Sequence, residues 1–370
     1  MPNRLALVAA ALLIAAAAAH AQDAKAPAKA KPPKAKSDTT PKADKPAKPY
    51  ENSPLFASDT ILRITLTGDW KALGGDRDTL HPKLRPGTLV YADSGGRVVK
   101  IPVDLSTRGH FRLSRATCSF PPLRVSFDSG GTKHTLFAGQ RALKLGVHCN
   151  NSELYEQYVL REYLAYRTHN LVTPLSFRAR LARVRYVEAR DTSKVTERWG
   201  MFVESERELG ERLGGKVITA RGGLYDDVAD SSAALLGLWE YFIGNTDFSM
   251  GALHNVRLVA SPQGMVAVPY DFDFSGLVDT RYSSPDPRLP IKTVRERLYR
   301  GPCLTDEQVA AAAAHFTSKR DAIKTLYESF QPIDRGYAKH ALDYFDDFFN
   351  AARDTRRFAR SLKDSCGRGS

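Results

Sequence analysis

The chain has 370 residues, 42% of them hydrophobic and 26% charged, with a formal net charge of +13. These fractions are those of an ordinary globular protein and exclude whole-chain disorder, a collagen-like repeat and a polytopic membrane protein. The charge is unevenly placed: residues 22–50 carry eight Lys against three Asp and Arg4 adds one, which leaves +7 for residues 51–370.

Residues 1–21 begin with Arg4, run apolar from Leu5 to Ala19 and end Ala19-His20-Ala21. That is the pattern of a secretory signal peptide, with an apolar stretch shorter than the roughly 20 residues that a spanning helix needs. Residues 22–50 are nearly all Lys, Ala and Pro, with no large apolar side chain before Tyr50. Such a segment buries too little surface to offset its ordering entropy, so a solvated tether is expected. It reads either as a plain spacer or as a basic arm that contacts an anionic envelope. Export to the periplasm or the extracellular space follows, and it makes Cys118, Cys149, Cys303 and Cys366 candidates for disulfides, with three full pairings open.

Residues 51–370 are expected to form the folded part. Short β-branched runs at 60–66, 98–103, 123–127, 142–147, 182–187 and 200–203 predict strands, several of them alternating apolar with polar residues as in Leu62-Arg63-Ile64-Thr65-Leu66. One helix interrupts them, with Asn150, Asn151 and Ser152 as N-cap candidates, and runs to about His169 before Pro174. From Asp230 onward helix dominates: Leu235, Leu238, Trp239 and Phe242 recur at helical spacing. Thr305 and Gln308 form a capping box ahead of a helix ending near Ser329, and a last helix runs from about Asp334 to Lys363. The fold class expected is α+β in two lobes, strand-rich over about 51–205 and helix-rich over about 206–370.

The chemistry concentrates between Ile243 and Phe274. A helix end delivers Asn245-Thr246-Asp247, His254-Asn255 opens a strand, a Ser261-Pro262-Gln263-Gly264 turn reverses it, and Tyr270-Asp271-Phe272-Asp273 closes the return strand. Phosphoryl transfer from a nucleotide needs a carboxylate for the acceptor hydroxyl and oxygen ligands for Mg²⁺ on the phosphates. Asp247 suits the first role, Asn255 and Asp271 the second, and Asp273 is a further candidate ligand. The competing reading makes the same residues turn formers and loop caps.

The order of these motifs resembles the spore-coat protein CotH kinase family, within the wider protein-kinase-like fold. That family carries Asn-x-Asp at a helix end, then His-Asn, a hairpin and a hydrophobic-Trp-Asp, to which Asn245/Asp247, His254-Asn255 and Tyr270-Asp271 correspond. Upstream, Thr107-Arg108-Gly109 resembles its Arg-Gly signature, and Pro121-Pro122 through Phe127 its Pro-Lys-x-x-Tyr strand; the likeness spans about residues 56–300. The chain departs from the pattern with Tyr270 in place of Trp, and it has no His-Arg-Asp.

The resemblance implies a two-lobed kinase-like fold and an enzyme that uses ATP with Mg²⁺ or Mn²⁺ to phosphorylate a hydroxyl acceptor, protein or small molecule, as a monomer. It implies a strand Lys on the phosphates paired with a helix Glu. Lys144 and Glu162 are the candidates, Glu162 sharing a helix face with Tyr155, Val159 and Tyr166. A salt bridge between Glu162 and an Arg is the competing reading. Glu204 falls at the inter-lobe crossing, for nucleotide ribose or hinge packing. Arg108 and Arg112 suit phosphate or buried carboxylates, and Arg295, Arg297 and Arg300 suit an acidic acceptor or a solvated helix face. Three rivals remain: a non-catalytic pseudokinase or envelope-binding protein, a metal-dependent hydrolase, which lacks the usual His ligands, and a nucleic-acid binder, which lacks a recognisable module.

Overall fold

The structure is a computed structural model that describes residues 53–128 and 130–367. The expected signal peptide and tether lie outside the described residues. The elements in chain order are β1 (Leu62–Gly68), α1 (Trp70–Gly75), β2 (Arg85–Ala92), β3 (Val98–Thr107), β4 (Leu123–Phe127), β5 (Ala142–Gly146), α2 (Glu153–Val172), β6 (Ala179–Glu188), β7 (Asp191–Val203) and α3 (Glu206–Arg212). They continue as β8 (Lys216–Ile218), α4 (Asp230–Ile243), β9 (Val256–Ser261), β10 (Gly264–Pro269), α5 (Asp306–Thr317), α6 (Arg320–Ser329), α7 (Arg335–Ala352) and α8 (Thr355–Lys363). The fold is mixed α+β, as expected.

Seven strands close a barrel in the order β1-β2-β3-β4-β5-β7-β6. The one parallel pair is β1 with β6, from Leu62 opposite Ala182 to Gly68 opposite Glu188. Alternation dictates what fills it: Leu62, Ile64 and Leu66 point inward with Leu89, Leu105, Val125, Leu143, Leu145, Val184 and Phe202, while Arg63 stays outside. A second, three-stranded sheet runs β10-β9-β8. Helix α2 is buried on most sides, because its residues join β6 and β7 in one core with α4, α5 and α7.

Several boundaries differ from the sequence reading, each for a local reason. Strand β2 was not expected; Pro86 and Gly87 interrupt its β pattern, and it is held by its pairing with β1 and β3. Strand β7 starts at Asp191, because the β6–β7 hairpin continues as an exposed polar ribbon beyond the core. The Thr305/Gln308 capping box is present, but the helix it opens stops at Thr317, and α6 follows separately. The last helix also divides, where Asp354 accepts from Arg357 N and caps α8. Ser152 precedes α2 without a side-chain cap bond.

Disulfides join Cys118 to Cys149 and Cys303 to Cys366. Both fit an oxidising, non-cytoplasmic compartment. Among the described residues, no helix is long and apolar enough to cross a membrane.

Candidate active site

Helix α4 ends at Gly244, whose φ of 65° lies in the left-handed region; a Cβ there would stand 2.0 Å from Tyr344 Oη, so only glycine fits. The turn sends Asn245 back under the helix, where its Nδ2 donates to Glu240 Oε2 at 2.9 Å and its Oδ1 accepts from Asp247 N at 3.0 Å. Glu240 is buried, and burial pushes its carboxyl well above the usual range, against the pull of the Asn245 hydrogen bond.

The Asp247 side chain, 39% exposed, projects from this buried base. His254 Nε2 lies 3.0 Å from its Oδ1, and Asn255 Nδ2 donates to its Oδ2 at 3.1 Å and to its backbone oxygen at 2.8 Å. A carboxylate only accepts, so the His254 proton sits on Nε2 and the Asn255 nitrogen faces Asp247. That hydrogen bond raises the His254 pKa above its ordinary value. The eight-residue step from Asp247 to Asn255 closes because Ser249 and His254 exchange backbone bonds of 3.0 and 2.9 Å, pinching off the residues between.

The β9–β10 hairpin then returns the chain to this edge, and Tyr270 N donates to Asn255 O at 2.9 Å. Asn255 and Asp271 both adopt left-handed backbone, with φ of 52° and 65°. Asp271 N donates to Tyr166 Oη of α2 at 2.9 Å. On the other side stands Arg112, only 13% exposed, from the segment after β3: its Nη2 is 3.2 Å from Asp271 Oδ1, its Nε 3.3 Å from Asp273 Oδ2 and its Nη1 3.9 Å from Glu162 Oε2. Phe111, packed on Phe274 and Tyr282, anchors the segment.

The three carboxylates respond differently. Burial pushes Glu162 well above the usual carboxylate range, against the pull of Arg112. Burial likewise lifts Asp273 to about 6, with Arg112 opposing and Asp271 assisting. Burial would raise Asp271 too, but Arg112, Arg108 and Lys144 outweigh it and hold this carboxylate below its ordinary value.

Lys144 on β5 faces the same cleft, which is lined by Arg108, Arg112, Lys144, Glu162, Tyr270 and Asp271 among others. Its Nζ lies 3.6 Å from Glu206 Oε1 and 4.5 Å from the centroid of the Tyr270 ring. Burial, reinforced by Arg108, lowers its pKa to about 8. Arg257 shares both partners, 2.9 Å from Glu206 and 4.6 Å from the Tyr270 centroid.

The structure therefore gathers Lys144, Glu162 and Asp271 around one cleft and bonds Asp247 to Asn255 beside it. It does not pair Lys144 with Glu162: Glu162 meets Arg112, and Lys144 meets Glu206. Glu204 does not line the cleft: its side chain is 0% exposed and ion-paired to Arg212 at 2.9 Å. Asp273, at 8% exposure, shares its Oδ2 between Arg112 and Tyr282 Oη, and it does not line the cleft. No helix carries Arg295, Arg297 and Arg300. Arg297 donates to Phe242 O at 3.1 Å, and Arg300 bonds carbonyls of the Asp247 loop. Glu206, Arg257, Tyr282 and Glu240 carried no sequence signal beyond their residue type.

Among the described residues no group of three or more His, Cys, Asp or Glu gathers as a metal-ligand set. The donor chemistry on offer is one amide oxygen, from Asn255, and the Asp271 carboxylate. That suits Mg²⁺, which binds through one or two carboxylates together with substrate phosphates, and it is too sparse for an all-protein cage. No family model and no curated protein matches the chain.

Proposed function

We propose that this protein is an exported kinase-like phosphotransferase that moves the γ-phosphoryl group of ATP to a hydroxyl acceptor, on a two-lobed fold of the kind the CotH resemblance implies. One observation carries the reading: Asp247 is clamped by His254 and Asn255, and Asn255 O accepts from Tyr270 N, next in the chain to an Asp271 whose cleft is lined by the cations Lys144 and Arg108. A half-exposed carboxylate of fixed orientation next to a cationic cleft suits transfer of an anionic group to a hydroxyl.

In this mechanism Asp247 orients the acceptor hydroxyl and receives its proton as the oxygen–phosphorus bond forms and the bond to the β,γ-bridging oxygen breaks, with ADP leaving. Lys144 and Arg108 bind the phosphate oxygens. Asn255 and Asp271 would hold Mg²⁺, which when bound neutralises charge on the phosphates. Arg112 keeps Glu162 of α2 and Asp271 in register. The disulfides support an oxidising location, and the pattern of residues 1–21 supports export.

A second reading, a pseudokinase that binds without transfer, is favoured by one feature: Arg112 already occupies an oxygen of Asp271. Incubation of the purified protein with γ-labelled ATP and Mg²⁺ or Mn²⁺ separates the two. Transfer to the protein or to an added acceptor, abolished in Asp247→Asn and Asp271→Asn, is the expected result. Binding of ATP without transfer selects the pseudokinase, and absence of both labelling and a thermal shift overturns both readings.

A further inference from the structure

The side chain of Asp247 is held by His254 and Asn255; its backbone is held by a residue from a distant part of the chain. Arg300 Nη1 donates to the carbonyl oxygens of Thr246 and Phe248, the second at 3.2 Å, and its guanidinium carbon lies 5.4 Å from the centroid of the Phe248 ring. These carbonyls flank Asp247, so one guanidinium fixes the peptide units on both sides of the carboxylate.

Arg300 is itself over-determined. Its carbonyl accepts from Tyr225 Oη at 2.8 Å, the Gly301 carbonyl accepts from Gly367 N at 2.8 Å, and the Pro302 carbonyl accepts from Tyr299 Oη at 2.8 Å. Cys303 is bonded to Cys366 next to that Gly367 contact. Gly301 rests directly on Gly237 of α4: a Cβ on Gly301 would come within 2.6 Å of Gly237 Cα and 2.5 Å of Tyr299 Oη. Helix α4, whose end launches the Asp247 loop, and the strap at 299–303 therefore meet with no side chain between them.

The geometry points to Arg300 as a positioning residue for Asp247, and to the Cys303–Cys366 disulfide as the clamp that fixes where Arg300 reaches. The C-terminal end of the described chain is thereby coupled to the loop that carries the acceptor-activating carboxylate. The consequence for turnover rests on the kinase reading; the consequence for the loop does not. Cys303 is exposed, whereas Cys118 and Cys149 are buried, so this clamp is the disulfide that reductant in solvent meets first.

The test is amide hydrogen exchange on the full-length protein for Arg300→Ala, Arg300→Lys and the double variant Cys303→Ser/Cys366→Ser. The Asp247 and Ser249 amides, bonded to Asn245 Oδ1 and His254 O, report the loop. Their exchange is expected to accelerate roughly tenfold in Arg300→Ala and in the double variant, less in Arg300→Lys, with α2 and the barrel unchanged. Phosphoryl transfer should fall on the order of 10²-fold in kcat with KM for ATP preserved. Wild-type exchange at 245–249 in Arg300→Ala and the double variant overturns the proposal; if Arg300→Ala does not fold, Arg300→Lys and the double variant decide it. A wild-type protein that transfers no phosphate while these variants loosen the loop refutes the kinase reading and supports the positioning role.

Discussion

Lys144 Nζ lies 3.6 Å from Glu206 Oε1, across the cleft from the glutamate of α2 that the sequence offers it. The cation that meets Glu162 is Arg112, and the same guanidinium reaches Asp271 and Asp273. The division separates two jobs. Arg112 ties α2 to the acidic motif, and Lys144 stays on an exchangeable, 37% exposed partner, ready to meet an anion.

The depressed Lys144 pKa gives a pH signature. An unfolded lysine titrates near 10.5 and this one near 8, so the native state binds fewer protons across that window. Unfolding free energy should therefore rise between pH 8 and 10.5, by about 3 kcal/mol from this group, with its full penalty present below 8. Denaturant titrations at several pH values should show that increment in the wild type and lose it in Lys144→Met. Affinity for tripolyphosphate should fall as pH passes above 8 in the wild type and be weak throughout in the variant.

Removing Arg112 leaves the buried Glu162 and Asp273 and the partly exposed Asp271 without their shared cation. Arg112→Gln should cost roughly 3–5 kcal/mol, the range for breaking a buried ion pair from one side. Arg112→Lys keeps the charge but loses the fork that meets Asp271 and Asp273 together, so it should fall between wild type and Gln in chemical denaturation.

How much of this was legible depended on whether the signal was local. Alternation within Leu62–Leu66 and within β4 marks a strand by itself, and Asn245, Asp247, Asn255 and Asp271 announce themselves by order along helix, loop and hairpin. Strand β2 was invisible because Pro86 and Gly87 hide a segment that its neighbours hold in place. The competing reading, a salt bridge between Glu162 and an Arg, is the one the structure bears out, with Arg112 as that Arg, whereas Glu206 was illegible as the partner of Lys144. Spacing within α2 shows that Glu162 needs a cation, yet which of Lys144 and Arg112 arrives is set by how the segment after β3 folds over the cleft. Arg300 looked like one of several surface arginines, and only the contact between Gly237 and Gly301 brings it to the Asp247 loop.

The left-handed backbone of Asn255 separates its conformational role from its chemical one. Asn255→Gly keeps the φ of 52° without strain, while Asn255→Ala does not, so the Gly variant should be about 1 kcal/mol more stable than the Ala variant. Both lose the amide that holds Asp247, so both should lose metal-dependent transfer to the same extent. Thermal denaturation alongside the labelling assay checks this pair.

The Cys118–Cys149 disulfide joins the segment carrying Arg108 and Arg112 to the approach to α2, reinforced by Ser119 N on Asn150 Oδ1 at 2.9 Å and Phe120 N on Cys149 O at 2.8 Å. The double variant Cys118→Ser/Cys149→Ser should be less stable by about 2–4 kcal/mol. It should also weaken tripolyphosphate binding, because the cleft's two arginines lose their tie to α2.

The central claim is that the cleft between Lys144 and Asp271 receives a nucleotide triphosphate with its metal. Isothermal titration calorimetry of ATP into the full-length protein, with and without Mg²⁺, tests it most directly. One ATP bound per chain, tighter with Mg²⁺, weakened in Lys144→Met and insensitive to Mg²⁺ in Asp271→Asn, is the result predicted. Absence of saturable heat, or binding of equal strength in wild type and both variants, would contradict it.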